Sequence, residues 1–517
     1  MPADTALAKR AERGFRFLGC LLAVGLIAVF ALVALRRLRY PFELDRMESA
    51  MMTSIWRLAH GKPLYGPPTL EWAAFLYAPL FFHISAAVAQ LTGLSYVAPR
   101  LVSIVSTLGS FAVIYALVLR ETRRHAAALV AAGLYAAMYP VVLGWFDVGR
   151  VDSLSVFFFL AALYSTRWTN PILAAVLWLL AFQTKQSILP IALLAFLPEW
   201  RRPGRMVLGM GSVAVFAAAS VVLCNRLSGG WYSFYVFGVA SRLALQPRQA
   251  ATYIPVDLLE PLGIAIALII VAVLLAPPAW RSTKASFYAI VTLLIVGGVG
   301  FVRAHEGANV NALMPVYAWL AVLFGLAVHR LLAWSEQLAN PLPAAVVWLF
   351  VVVQLASHLY LPGRYKVSSE TLAYRTQFLD ALRTTPGDVW AVNHSFDGIL
   401  AGKPTHAEMD ALDAVLGRGY APVVNELQQD YASGHFAAVV LDRDAESYTP
   451  EWVFNGPLFR AHYSLMVRAP GSEQPSLADQ PVIVYLPCDA PASGLNSPTA
   501  WFNRGNCLAL PSSNPGR

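Results

Sequence analysis

Runs of apolar residues approaching twenty in length recur along this chain, and no other feature constrains its fold so tightly. A helix needs about 20 predominantly apolar residues to cross a bilayer core. A chain in that environment must satisfy its backbone polar groups internally, so such runs read as helices. They fall near 17–35, 98–119, 126–145, 153–166, 171–184, 187–198, 206–224, 258–276, 285–302, 313–333 and 342–361. Several are short enough to require tilting or breaks. Composition agrees: of 517 residues, 57% are hydrophobic and 13% charged, with mean hydropathy +0.54. The expectation is an α-helical polytopic membrane protein of about 11 transmembrane helices.

The net charge of +8 is spread among loops. It carries topology rather than a nucleic-acid footprint. The first run follows Lys9, Arg10, Arg13 and Arg16. It exceeds a signal-peptide core and lacks a small-x-small site before Arg36, so a retained span with a cytoplasmic N-terminus is expected. A long first loop, 36–97, then carries an amphipathic segment and the apolar stretch 73–91, with Pro79 inside it. Counting 73–91 as a span would put "RETRRH" (120–125) outside. Treating it as re-entrant or interfacial puts that basic cluster inside, and Asp147 and Asp152 outside. The positive-inside rule selects the second arrangement, although Arg36, Arg37 and Arg39 run against it.

Composition shifts near Arg364. Residues 365–517 hold "DVWAVN", "FAAVVLD", "YSLMVRA" and "PVIVYLP" between helix-like pieces such as "SETLAYRTQFLDALRTT". They read as a soluble α/β domain after a membrane domain spanning 1–364. Cys20 and Cys224 read as small buried hydrophobes. Cys488 and Cys507 share the C-terminal domain, where an oxidising exterior favours a disulfide. No Cys/His spacing suggests zinc.

Ionisable residues gather on the side assigned as exterior. "FELDRMES" brings Asp45 and Glu48. "FDVGRVD" brings Asp147, Arg150 and Asp152. "FQTKQS" brings Lys185, and "FVRAHEGANVN" brings Arg303, His305, Glu306 and Asn309. Carboxylates act as general bases on a hydroxyl or amine. Lysine and arginine hold phosphate and stabilise its charge as it leaves. Each group also has a plain alternative. Asp45 and Glu48 suit the start of an amphipathic helix. Arg150 suits an ion pair with Asp147 and Asp152, and Lys185 suits a snorkelling interfacial lysine.

"LDRMESAMMTSIWRLAHGKPLY", "YAPL", "GRVDSLSVFFFLAALY" and "LLAFQTKQSILP", in that order, resemble bacterial GT-C glycosyltransferases. The similar groups are the protein mannosyltransferase-like family and the lipid A aminoarabinose transferases. The resemblance is fullest over residues 40–200. It departs from those families where the first loop lacks an adjacent Asp-Glu pair and where "KPPL" becomes "YAPL". It implies a helical membrane body, interfacial helices in the first loop, a polyprenyl-phosphate sugar donor and an inverting single displacement. It places the first-loop acid at Asp45, with Glu48 the competitor, and a second-loop acid at Asp152, with Asp147 next. It sets Lys185, in a "TK" motif, near the donor phosphate. Arg303 and Arg150 are further candidates there.

The expected function is therefore transfer of a sugar from a polyprenyl-phosphate donor to an envelope glycan, lipid or protein, in a bacterial inner membrane. No glycine-rich phosphate loop implies a nucleotide. Clustered acids leave a divalent metal open. A transporter of lipid-linked sugars is the alternative; charges confined to one face and the lack of an internal repeat favour an enzyme. The C-terminal domain is expected to shape acceptor access.

Overall fold

The computed structural model describes residues 2–275, 283–338, 340–416, 420–442, 448, 450–468 and 483–488. Helix α1 (Pro2–Leu38) leads into the first loop, which carries α2 (Arg46–Ala59) and α3 (Leu80–Thr92). The body continues with α4 (Val97–Thr122), α5 (His125–Ala137), α6 (Val151–Trp168), α7 (Pro171–Thr184), α8 (Leu189–Leu194) and α9 (Pro203–Ser228). The short α10 (Trp231–Ser233) and α11 (Pro247–Thr252) precede α12 (Glu260–Leu274), α13 (Thr283–Arg303), α14 (Met314–Gln337) and α15 (Pro341–Ala356). Every apolar run read from the sequence contains a helix. Among the described residues, six helical segments are long and apolar enough to cross a membrane: Thr5–Leu38, Val97–Thr122, Pro203–Ser228, Pro247–Leu274, Ala285–Arg303 and Val310–Gln337. The chain is a polytopic membrane protein, and its other apolar helices are shorter. Their apolar outer faces, such as Leu173 on α7 and Leu342 on α15, remain exposed.

Two helices start or stop where proline dictates. The helix read across 73–91 begins only at Leu80, because Pro79 has no N–H for a preceding turn and its ring crowds it. At about 1.5 Å per residue, the thirteen-residue α3 spans roughly 20 Å, short of a bilayer core. The run 126–145 is helical only to Ala137, and Pro140 lies just beyond. The following turns pass through Leu143 and Gly144 at positive φ and deliver Asp147 and Arg150 to the head of α6.

The C-terminal region contains α16 (Ser369–Thr384), β1 (Asp388–Ala391), α17 (Ser395–Leu400), α18 (Met409–Leu416), α19 (Ala421–Ser433) and β2 (Phe436–Leu441). It continues with α20 (Trp452–Asn455), α21 (Pro457–His462), β3 (Tyr463–Arg468) and β4 (Ile483–Pro487). All four β-like stretches are strands, in the order β1-β2-β4-β3. β1 and β2 are parallel, joined through helices; β4 runs antiparallel to both neighbours. Cys488 is disulfide-bonded, and Cys507 lies outside the described residues. One apolar cluster fills the helical body. A second joins Met51, Ile55 and Phe81 of the first loop to Trp390, Phe396 and Leu412 of the C-terminal region.

Candidate active site beneath the first loop

Asp45 caps α2. Its extended backbone (φ −148°, ψ 140°) lets the side chain accept the Met47 N–H at 3.1 Å, satisfying one of the helix's free donors. The same oxygen, Oδ1, accepts Arg150 Nη1 at 2.8 Å. Among the described residues Oδ2 makes no hydrogen bond, and the side chain is 16% exposed.

Arg150 lies between two acids and stacks over Trp145, 4.5 Å from the ring centre. Its Nε donates to Asp152 Oδ2 at 3.3 Å. Asp152 Oδ1 accepts Lys185 Nζ at 2.7 Å and Asn311 Nδ2 at 3.0 Å. Both Asp152 oxygens are thus occupied and the carboxylate is 2% exposed, whereas Lys185 retains 13% exposure. Lys185 stands at the C-terminus of α7 and lines a cleft with Ser187, Gly298, Val302 and Pro315. The result is a continuous chain, Asp45–Arg150–Asp152–Lys185, with two negative and two positive charges. It joins the first loop, the head of α6 and the end of α7.

Other residues singled out in the sequence stand elsewhere. Glu48 is sealed in. It accepts the Leu44 and Gly149 N–H groups at 2.7 and 2.5 Å, and Arg100 Nε and Nη2 at 2.9 and 2.6 Å. Gly149 makes this approach possible, since a Cβ there would stand 2.9 Å from Pro99 Cβ. Asp147 accepts Arg37 Nη1 at 3.0 Å and the Tyr139 hydroxyl at 2.9 Å, and burial pushes its carboxyl up. Arg303 pairs with Asp257 at 2.9 Å and donates to the Ala308 carbonyl. Its partner Asp257 borders a cavity of about 630 Å³, lined also by Glu260, Tyr317, Gln354 and His358. His305, just past the end of α13, bonds the Phe301 carbonyl of that helix, and Asn309 caps the next turn.

Sequence reasoning passed over Asn311, although it ends the quoted "FVRAHEGANVN". It also passed over a buried cluster formed by the C-terminal region on Glu43. Glu43 Oε1 meets Arg375 at 2.6 Å and His394 Nδ1 at 2.7 Å, and Oε2 accepts the Tyr96 hydroxyl. Arg375 reaches Asp397 at 2.5 Å. Burial would raise both acids. Arg375 and His394 overcome it at Glu43, drawing that carboxyl down to about 2, while burial prevails at Asp397, holding it up near about 6. Glu43, His394 and Asp397 stand close enough to share a metal ion. The set does not fit one, because Arg375 already occupies the space between the carboxylates and would be pressed against a dication.

An acid-bearing first loop lying over a polytopic helical body, with a small α/β region docked on that loop, is the architecture of the GT-C fold. The chain aligns with the crystal structure of ArnT from Cupriavidus metallidurans bound to undecaprenyl phosphate. The TM-score is 0.59 at 15% identity, covering 92% of this chain and 99% of that one. The apo state of the same protein aligns at TM-score 0.56 and 16% identity, covering 89% and 97%. ArnT is a lipid A aminoarabinose transferase, and the chain shares its GT-C fold. No family model matches the sequence, and no curated protein sequence matches it.

Proposed function

We propose that the protein is a membrane glycosyltransferase that moves a sugar from a polyprenyl-phosphate donor to a cell-envelope glycan, lipid or protein. The observation that carries this reading is the Asp45–Arg150–Asp152–Lys185 chain, set in a fold shared with a protein whose crystal structure holds undecaprenyl phosphate. Asp45 Oδ2 is the oxygen free to take a proton from the acceptor hydroxyl or amine as that group attacks the sugar carbon, inverting it. The bond broken joins that carbon to the phosphate oxygen, and polyprenyl phosphate leaves.

Lys185 keeps two of its three N–H donors beyond the Asp152 contact, so it holds the departing phosphate without abandoning its partner. Asp152 has no spare oxygen and acts as the positioning group for Lys185 and Arg150. Glu48, clasped by Arg100, serves the loop's shape. Asp147 does the same with Arg37. Arg303 holds Asp257, which borders the large cavity, and we assign that cavity to the acceptor's polar end.

In this reading the protein sits in a bacterial inner membrane. Residues 1–364 form the membrane domain with its first loop, 36–97, exterior. Residues 365–517 form an exterior domain, and the N-terminus is cytoplasmic.

The direct test is binding of undecaprenyl phosphate to the purified protein, followed by thermal shift in detergent. Stabilisation that Lys185→Ala removes and Arg303→Ala leaves intact supports the reading. Loss in Arg303→Ala instead moves the phosphate site. Stabilisation that rises with neutral polyprenol as strongly as with the phosphate removes it.

A further inference from the structure

The C-terminal region grips the Asp45 loop on both sides of Asp45. Two residues before it, Glu43 is held by Arg375 and His394, both from that region, at 2.6 and 2.7 Å. One residue after it, Arg46 Nη2 meets Asp410 at 3.0 Å, with Asp442 3.9 Å from Nη1. We propose that these two clasps are positioning contacts that set the Asp45 carboxylate against Arg150, which makes the C-terminal region part of the catalytic apparatus rather than only a wall for the acceptor. The proposal rests on the reading of Asp45 as the acid at the reacting centre.

Three observations carry it. The clasps lie three residues apart, so only the Leu44–Asp45 segment separates two points fixed to the same region. Next, Glu43, Arg375 and Asp397 are almost wholly buried. Buried ion clusters are a poor means of mere adhesion, because desolvation consumes most of their attraction. Adhesion is already supplied nearby by apolar contacts, such as Phe396 edge-on to Tyr96 at 5.5 Å. What charged hydrogen bonds add is direction and register. Last, further hydrogen bonds align α2 itself, between the Thr53 and Ser395 hydroxyls at 2.8 Å and from the Phe396 N–H to Ser49 Oγ at 3.0 Å. The cap, the helix it starts and the residues flanking the cap are therefore all referenced to one body.

Misplacing a reacting group by about 1 Å costs on the order of 10²-fold in rate. The test uses the full-length protein with a panel of undecaprenyl-phosphate hexose, pentose and aminopentose donors, total envelope lipid as acceptor, and release of undecaprenyl phosphate as the readout. Glu43→Gln and Asp410→Asn are compared with Glu426→Gln, which touches the loop at the Leu70 N–H, far along the chain from Asp45. Asp410→Asn alters a part-exposed pair, so it remains informative even where Glu43→Gln misfolds.

The expected result is a fall in kcat of on the order of 10²-fold in the clasp variants, with donor KM unchanged and Glu426→Gln near wild type. In an Asp45→Asn background the same substitutions should remove nothing further, because they act through Asp45. Wild-type kcat in folded clasp variants overturns the proposal, as does an equal loss in the Asp45→Asn background. Full activity of Asp45→Asn itself overturns the reading beneath it, an outcome distinct from either.

Discussion

Asp45 and Asp152 carry the same carboxylate in opposite surroundings. Asp45 is part-exposed with one uncommitted oxygen; Asp152 is buried with both oxygens engaged. Replacing Asp152 by Asn puts an amide donor against Arg150 or Lys185 and takes from the part-buried Lys185 its carboxylate partner. Such losses cost about 3–5 kcal/mol. Asp152→Asn is therefore expected to lower the thermal midpoint and monodispersity of detergent-extracted protein, as well as transfer, whereas Asp45→Asn should leave both physical measures unchanged. A stable, monodisperse Asp152→Asn protein would mean that Asp152 is not the hub described. Gly149→Ala gives a second prediction. Its new Cβ would meet Pro99 and the Glu48 carboxylate, so overpacking of about 1–3 kcal/mol should appear in denaturation. An unchanged midpoint would show that the loop gives way freely.

The elements explain why the candidate residues were legible before their partners. Asp45, Asp152 and Lys185 stand out in a sequence because charge is scarce beside apolar helices, and their segments recur in a recognisable order. Glu43 stands in the same short loop, but its significance depends on Arg375, His394 and Asp397, more than 300 positions away. No local period or spacing links such residues. Asp397 and Glu43 give this contact a pH dependence. Asp397's carboxyl is raised, so its contribution to stability is full below the unfolded value and is lost as pH rises through about 6. Glu43's is depressed, so its contribution is lost only as pH falls through about 2. Hydrogen exchange in the 39–46 segment should accelerate as pH rises through about 6, after correction for intrinsic rates, and Asp397→Asn should abolish that change. Exchange that follows intrinsic rates in the wild type would contradict it.

At the level of the whole molecule, the apolar runs forecast the helical body and the shift at Arg364 forecast the sheet with all four strands. The sequence did not reveal that the two share a core. Met51, Phe81, Trp390 and Phe396 belong to one apolar cluster, so the first loop and the C-terminal region complete each other. A chain ending at residue 364 is expected to aggregate on extraction, as residues 365–517 alone should; a monodisperse truncated body would show that the loop stands unaided. The proposed sidedness has its own check. Cysteines at the exposed positions Arg123 and Leu143 should label from opposite faces of the membrane, and labelling of both from one face would reverse the assignment of the site to the exterior.

One measurement bears most directly on the central claim that Asp45 serves sugar transfer from a polyprenyl phosphate. Purified wild-type and Asp45→Asn protein are given the undecaprenyl-phosphate sugar panel with envelope lipid, and release of undecaprenyl phosphate is followed with time. General-base loss is typically about 10²–10⁴-fold, and a fall of that size in Asp45→Asn, with undecaprenyl phosphate still bound, is the predicted result. Equal release by the two proteins, or no release from any donor by the wild type, would contradict it.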